Sequence, residues 1–460
     1  MDELHVDVLV IGWGKGGKTL ASTLGRAGTS VALVERSSDR YGGGCINVAC
    51  VPTKDLIHSA TQRRADDDPQ DWFRRAVRER DTLTAQLRAR NHAMLAGIDT
   101  VTLIDGHARF VGPHEVEVTA GVDRLNVRAD TIVINTGTTP FWPDFATASE
   151  SRRIYDSEGI QHVDPLPRRL IVIGGGYVGV EFAGMFAGFG SHVTLVGRKA
   201  EWMPEEDRDV AEAVAGVLRD AGVEFVLGAE VDVIEDVDAG VRVRLREGDR
   251  VRPLEADAVL LAVGRAPATA GLGLEVAGIA SDDRGYIVVD ERLRTSAEGV
   301  YAVGDVNGGP QFTSVSLDDF RIVLSQLSGD GPRSIRDRVA VPTTVFLTPP
   351  LARVGLSERD AYASGRPVLV ATKEVSAIAA MPRPKIVGEA RGLIKVIVDA
   401  ETDRVLGATV FSVDAQEVIN LLALAIREGV TASALRDGIW THPSATEALN
   451  EVLGELRPLV

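Results

Sequence analysis

The stretch Leu4-His5-Val6-Asp7-Val8-Leu9-Val10-Ile11-Gly12-Trp13-Gly14-Lys15-Gly16-Gly17 decides how this chain folds. It alternates and then runs apolar, as a buried parallel strand does, and it enters a G-x-G-x-x-G turn. A helical pattern over residues 18–27 follows, then a second strand over 30–34 that ends at Glu35. In that setting Gly12 makes the turn, Gly14 lets a pyrophosphate approach, Gly17 lets helix and strand pack, and Glu35 falls where an acid holds ribose hydroxyls. Glycine triplets alone are often mere turns. Strand, helix and acid in register define a dinucleotide site.

The unit occurs twice. After Pro165 and Pro167, which mark a domain junction, residues 170–173 form a strand leading into Gly174-Gly175-Gly176-Tyr177-Val178-Gly179, then a helix to Phe189 and a strand over 192–196. Two units imply two dinucleotides. Beyond the second unit's second strand stand Gly197-Arg198-Lys199, with no acid to grip a 2′-hydroxyl. Arg198 and Lys199 suit a 2′-phosphate, so NADPH is expected over NADH, although exposed cations at a strand end also serve solubility alone.

Both cysteines of the 460-residue chain fall in Tyr41-Gly42-Gly43-Gly44-Cys45-Ile46-Asn47-Val48-Ala49-Cys50-Val51-Pro52-Thr53-Lys54. Most free cysteines are buried small hydrophobes, but placing the whole complement in one pair points to a working dithiol. In an ideal helix the two Cα atoms would lie about 8.7 Å apart, beyond the roughly 7 Å that a disulfide tolerates. The bond therefore needs an irregular helix, and Pro52, which biases Val51 away from αR, is the expected cause. A strained pair is a reducible pair. No further Cys or His stands at ligand spacing, which makes a poor zinc site.

With 66 acidic against 50 basic residues the chain carries a net charge of −16, which disfavours phosphate backbones and anionic membranes. No nucleic-acid or membrane partner is expected, and a small-molecule substrate is. The 45% hydrophobic content and 47 glycines suit a globular protein with many tight strand-to-helix turns, and length suggests about three domains. Met1-Asp2-Glu3 opens no basic n-region and no apolar signal core follows, so a cytoplasmic location is expected, where permanent structural disulfides are rare.

Residues 54–96 read as helices with a polar break at Asp66-Asp67-Asp68-Pro69, and 101–127 as short strands. A buried strand over 131–135 ends at Thr136-Gly137, where the backbone can approach the first dinucleotide. Another apolar strand over 257–263 ends at Gly264, and the chain returns through Gly304-Asp305. From about 339 the composition changes to Pro-rich strands and an apolar helix over 416–427, an α+β block with no nucleotide signature whose apolar surfaces could pair two subunits. Near the end, Thr441-His442-Pro443-Ser444-Ala445-Thr446-Glu447 sets a histidine before a proline-initiated helix, with an acid inside it that can orient the imidazole. Alone, such a histidine is more often a capping or packing residue.

These motifs, in this order and over essentially the full length, resemble the class I pyridine nucleotide-disulfide oxidoreductases: glutathione reductase, dihydrolipoamide dehydrogenase and mercuric reductase. The resemblance implies an α/β fold with two Rossmann-like dinucleotide-binding domains and a C-terminal α+β dimerisation domain. The FAD-binding domain would take residues 1–150 and 269–336, the NAD(P)-binding domain 151–268 and the dimerisation domain 337–460. By the same resemblance FAD binds the first fingerprint and NAD(P)H the second, while Gly304-Asp305 holds the ribityl chain. Cys50 is the flavin-proximal thiol and Cys45 the interchange thiol that attacks substrate. Lys54 and Glu181 form an ion pair beside the flavin, Tyr177 gates the nicotinamide pocket, and the enzyme is a homodimer in which His442 of the partner subunit serves Cys45 as acid and base. A free thiol is only about 3 per cent thiolate at pH 7, so a nearby imidazolium raises the reactive fraction. Gly44 and Ala49 stand where the family often has Thr and Gly.

Within the class, residues 14–20, Ser316-Leu317-Asp318-Asp319-Phe320-Arg321-Ile322-Val323 and 441–450 look most like the bacterial reactive-chlorine-resistance flavoproteins, associated with reduction of hypothiocyanous acid and Cu(II). The thiolate chemistry suits hypothiocyanous acid, whose sulfur is electrophilic. Among alternatives, a mercuric reductase carries extra C-terminal cysteines, which this chain lacks. A dihydrolipoamide dehydrogenase runs toward NAD and has an acid where Gly197 sits. A small-disulfide reductase stays open, as does a non-enzymatic flavin-based redox sensor, for which no effector domain is visible.

Overall fold

In a computed structural model that describes residues 2–329 and 333–459, Val8, Leu9, Val10 and Ile11 lie buried in the strand Asp2–Ile11. Met1, 330–332 and Val460, within the expected 1–150, 269–336 and 337–460 spans, fall outside the described residues. The chain divides into two units, Met1–Leu56, Arg74–Phe141 and Gly264–Arg338 making one, and Ile57–Phe73, Trp142–Val263 and Val339–Val460 the other.

In the first unit the Asp2–Ile11 strand pairs in parallel with Val31–Glu35 on one side and Asp123–Ile134 on the other, and Val101–Asp105 extends the sheet beyond Val31–Glu35. Both faces of the central strand are covered, which its unbroken apolar run requires. The end of the 101–127 span and residues 131–134, read from sequence as separate strands, belong to one strand, Asp123–Ile134, which has two further partners beside Asp2–Ile11. Its first half pairs antiparallel with Glu115–Ala120, and its end pairs in parallel with Val300–Ala302. Alternating exposure in the first half and full burial at Ile132, Val133 and Ile134 match that change of neighbour.

The second unit holds a parallel sheet ordered Glu224–Leu227, His192–Gly197, Arg169–Ile173, Ala258–Leu261 and Ile154–Tyr155. Sequence reading missed its three-stranded meander, Glu230–Val237, Gly240–Glu247 and Arg250–Ala256. Its signal was the alternation Val241-Arg242-Val243-Arg244-Leu245, with the valines and leucine buried. A six-stranded antiparallel sheet follows, covered by the helix Ala415–Glu428, which buries Val418, Ile419 and Leu422. Full burial of such side chains is worth about 1.5–3 kcal/mol each. Lys395 of this sheet is 1% exposed, and its Nζ lies 3.1, 2.7 and 3.1 Å from Asp207, Asp209 and Glu358. Burial pulls its pKa down, and the three carboxylates more than reverse that. Among the described residues no helix is long and apolar enough to cross a membrane.

Candidate active site

Cys45 and Cys50 do not share a helix. Gly44–Asn47 is a single turn that ends at Val48, and a new helix, Cys50–Gln62, starts at the second cysteine. Val48 and Ala49 both donate to the Gly44 carbonyl, at 2.9 Å each, and Thr53 donates to the Ala49 carbonyl at 3.1 Å. The break is therefore at Val48-Ala49, earlier than the Pro52 cause expected from sequence. Pro52 sits in the first turn of the new helix, where a backbone donor has no intrahelical partner to lose. The break lets the two cysteines of an otherwise helical segment act on one another.

The two residues are thiols not joined in a disulfide, Cys50 exposed and Cys45 partly buried. The Cys45 thiol is pushed far above the usual thiol range, first by its hydrogen bond to Cys50, then by burial and by the charge on Cys50; Thr313 and the Lys18 ammonium pull the other way. Once one sulfur ionises, the other holds the shared proton. Thr313, the first residue of the helix Thr313–Ser328, lies 3.6 Å from Cys50 Sγ through its hydroxyl. Sequence reading missed this residue, because 263 positions separate it from Cys50.

Around the first fingerprint, Gly17 N donates to Asn135 Oδ1 at 2.8 Å and Asn135 Nδ2 donates to the Val303 carbonyl at 2.7 Å. A Cβ on Gly14 would come within 2.4 Å of Asn135 Oδ1, and one on Gly12 within 2.6 Å of the Asn135 carbonyl. Sequence reading assigned Gly14's small size to a pyrophosphate; in the structure the chain's own Asn135 also demands it. Glu35 is buried and accepts from Trp13 N at 3.2 Å and Ser37 N at 3.3 Å, its pKa raised chiefly by burial. Gly44 begins the turn that carries Cys45, and Lys54 Nζ reaches Thr53 Oγ1 at 3.4 Å. Gly304 N donates to Asp319 at 2.6 Å, and Asp305, raised by burial, accepts from Thr138 at 3.2 Å. Two features fit a flavin dinucleotide: Thr136 Oγ1 is buried without a hydrogen-bond partner, and the adjacent Gly137, at φ +70°, faces open space.

In the second unit a Cβ on Gly174, at φ +114°, would meet the Ala262 carbonyl at 2.3 Å, and Gly179 packs on Gly174. Gly176 faces open space at the N-cap of the 13-residue helix Tyr177–Phe189, where backbone donors suit a pyrophosphate. The Tyr177 hydroxyl donates to Glu206 at 2.9 Å, and Arg353 pairs with the same carboxylate at 3.1 Å. Glu181 is buried and accepts from Phe346 N at 2.8 Å; Lys54 belongs to the other unit. Lys199 pairs with Glu205 at 3.2 Å, whereas the exposed Arg198 guanidinium has no hydrogen-bond or ion-pair partner among the described residues. Gly264, at φ +126°, also faces open space.

His442 Nδ1 lies 2.8 Å from Glu447 Oε1, and Ser444 N donates to Glu447 Oε2 at 2.8 Å. These bonds hold the Glu447 carboxyl below its usual range, Ser444 contributing most. The expected proline-initiated helix is a turn instead. The helix begins at Ala448 with Glu447 as its N-cap residue, since Glu447's side chain captures the Ser444 donor from outside the helix. The imidazole is 71% exposed, leaving Nε2 available.

Residues 6–319 match the pyridine nucleotide-disulphide oxidoreductase family and 341–453 its dimerisation domain, so the chain belongs to the pyridine nucleotide-disulphide oxidoreductases. It is thus an oxidoreductase of the flavoprotein disulfide reductase type, working with FAD and a pyridine nucleotide, and its dimerisation domain marks a homodimer. It is 45% identical over 444 residues to the pyridine nucleotide-disulfide oxidoreductase RclA of Escherichia coli strain K12, covering 96% of this chain and 98% of that one. Its structure resembles the Cu(II) complex of the HOCl-induced flavoprotein disulfide reductase RclA from Escherichia coli, with a TM-score of 0.92 at 43% identity and 99% of each chain covered. Dihydrolipoyl dehydrogenase of Thermus scotoductus is 35% identical over 463 residues, covering 97% of this chain and 96% of that one.

Proposed function

We propose that this chain is a cytoplasmic, NADPH-driven reductase that discharges its Cys45/Cys50 dithiol onto a small oxidant, hypothiocyanous acid or Cu(II), in defence against reactive chlorine species. The observation that carries the reading is the sulfur pair: two thiols on either side of a helix break, the state of each acting on the other, with no other cysteine to divert electrons. The similar RclA proteins are described as HOCl-induced and as binding Cu(II), which supports the oxidant class.

In this reading the first fingerprint, Glu35, Thr136-Gly137 and Gly304-Asp305 hold FAD, with Lys54 and Glu181 beside its reactive ring. The second fingerprint, Tyr177, Arg198, Lys199 and Gly264 serve NADPH. Bound together, the two cofactors supply the electron pair that opens the Cys45–Cys50 disulfide. The Cys45 thiolate then attacks the sulfur of hypothiocyanous acid. The S–O bond breaks, hydroxide takes a proton from His442 of the partner subunit and leaves as water, and Cys45 carries the thiocyanate adduct. Cys50 attacks Cys45 Sγ, thiocyanate departs, the disulfide closes, and the Cys50 proton returns to the imidazole. With Cu(II), one dithiol would instead reduce two ions and release two protons.

Steady-state NADPH oxidation with hypothiocyanous acid, Cu(II), glutathione disulfide and lipoamide tests the assignment. Turnover confined to either of the last two would replace it with a small-disulfide reductase or a dihydrolipoyl dehydrogenase. For the nucleotide, Arg198→Ala is expected to raise KM for NADPH by about tenfold to a hundredfold, the worth of a charge-assisted hydrogen bond, while KM for NADH stays nearly constant. A wild type that prefers NADH would sink the choice of nucleotide.

A further inference from the structure

Lys18 has no part in the scheme above, yet it is a buried cation of the first unit. It follows Gly17 on the first-fingerprint helix and is 6% exposed. Its Nζ donates to the Gly42 carbonyl at 2.9 Å and to Asn91 Oδ1 at 2.6 Å. No carboxylate pairs with it among the described residues. The charged groups that act on it are Lys15, on the same helix, and Cys45. The neighbouring helix Pro69–Ala96 meets it with the Asn91 amide, and His92 on that helix stacks instead on the Tyr41 ring, 4.8 Å between centroids. Burial brings the Lys18 pKa down to about 8, the charge of Lys15 adds to this, and Cys45 opposes it.

A buried ammonium without a carboxylate is costly to keep charged. Two neutral acceptors lower that cost without cancelling the charge. The field that remains is directed at the loop it holds, for Gly42 lies three residues before Cys45. From these contacts we propose that Lys18 is a positioning residue for the dithiol: it anchors the Gly42-to-Cys45 segment and supplies, from within the same chain, a positive charge that favours the Cys45 thiolate. The inference rests on the reading of Cys45 as the sulfur that meets the oxidant. It gives Cys45 a cation in its own subunit, additional to the imidazole assigned to the partner.

The test needs no oxidant. The dithiothreitol-reduced holoenzyme is alkylated with iodoacetamide across pH 6–10, and modification of Cys45 is followed by peptide mass spectrometry in wild type, Lys18→Arg, Lys18→Gln and Lys18→Met. The expected result at pH 7 is that rate follows charge: Lys18→Arg within about twofold of wild type, and Lys18→Gln and Lys18→Met slower by roughly tenfold, their profiles displaced to higher pH, since one pKa unit is tenfold in thiolate. Lys18→Gln keeps an N–H donor, so wild-type alkylation in that variant would reduce Lys18 to a loop brace and overturn the proposal. Equal slowing in Lys18→Arg and Lys18→Met would do the same. If Lys18→Met fails to fold, the comparison of Lys18→Arg with Lys18→Gln decides. Normal Cys45 alkylation in an enzyme that does not reduce hypothiocyanous acid would count against the oxidant, not against Lys18.

Discussion

Cys45→Ser is expected to lower turnover of hypothiocyanous acid by roughly a thousandfold or more, because a serine hydroxyl offers no significant anion near pH 7 and is a far weaker nucleophile than a thiolate. The exchange is nearly isosteric at a partly buried position, so folding and flavin uptake should persist and can be checked by flavin absorbance. Cys50→Ser should behave differently. Its Cys45 can still attack, and with no second sulfur to displace thiocyanate the protein should stop after one event, with the adduct on Cys45 visible by mass spectrometry. Retention of more than about a tenth of the activity in Cys45→Ser would show that electrons leave by another route, since a lost nucleophile ordinarily costs far more.

His442→Gln should cost roughly a hundredfold in kcat/KM for the same oxidant, the usual yield of a positioned acid–base group, with NADPH binding unchanged. Glu447 is the orienting group, and its own pH behaviour has a definite sign. Its folded-state pKa lies below the unfolded value, the Ser444 bond contributing most to the lowering. The interaction is therefore fully present above the ordinary carboxylate range and is lost only as pH falls through the lower folded value. Glu447 should accordingly give no acid limb to the pH profile above about pH 5, where an ordinary carboxyl is already ionised. A His442→Gln enzyme with wild-type kcat/KM would remove the imidazole from the scheme.

The two nucleotide units were legible because strand, glycine turn and helix are local in sequence and each burial pattern repeats with its own period. The cysteine pair was legible from composition. Other elements needed the folded chain. Asn135, 118 residues from Gly17, closes the turn of the first fingerprint; in sequence it is only a polar residue after an apolar strand. Lys199 reads in sequence as the equal of Arg198; only the folded chain sets Glu205 beside it, at 3.2 Å on the surface. The charged meander over 230–256 was passed over although its alternation was present, because arginines and glutamates on the solvent face disguised a half-buried sheet.

What the amino-acid order alone determined is the family, through its two dinucleotide units, and the residues proposed to work in it: Cys45 and Cys50, and His442 with Glu447. Tertiary structure decided how those residues are tuned. It put the helix break at Val48-Ala49 and brought Thr313 against Cys50 and the Lys18 ammonium onto the Gly42 carbonyl, three residues before Cys45. The physical reason is range: turn and strand signals act over a few residues, whereas the field at a buried sulfur is set by groups that only packing brings near.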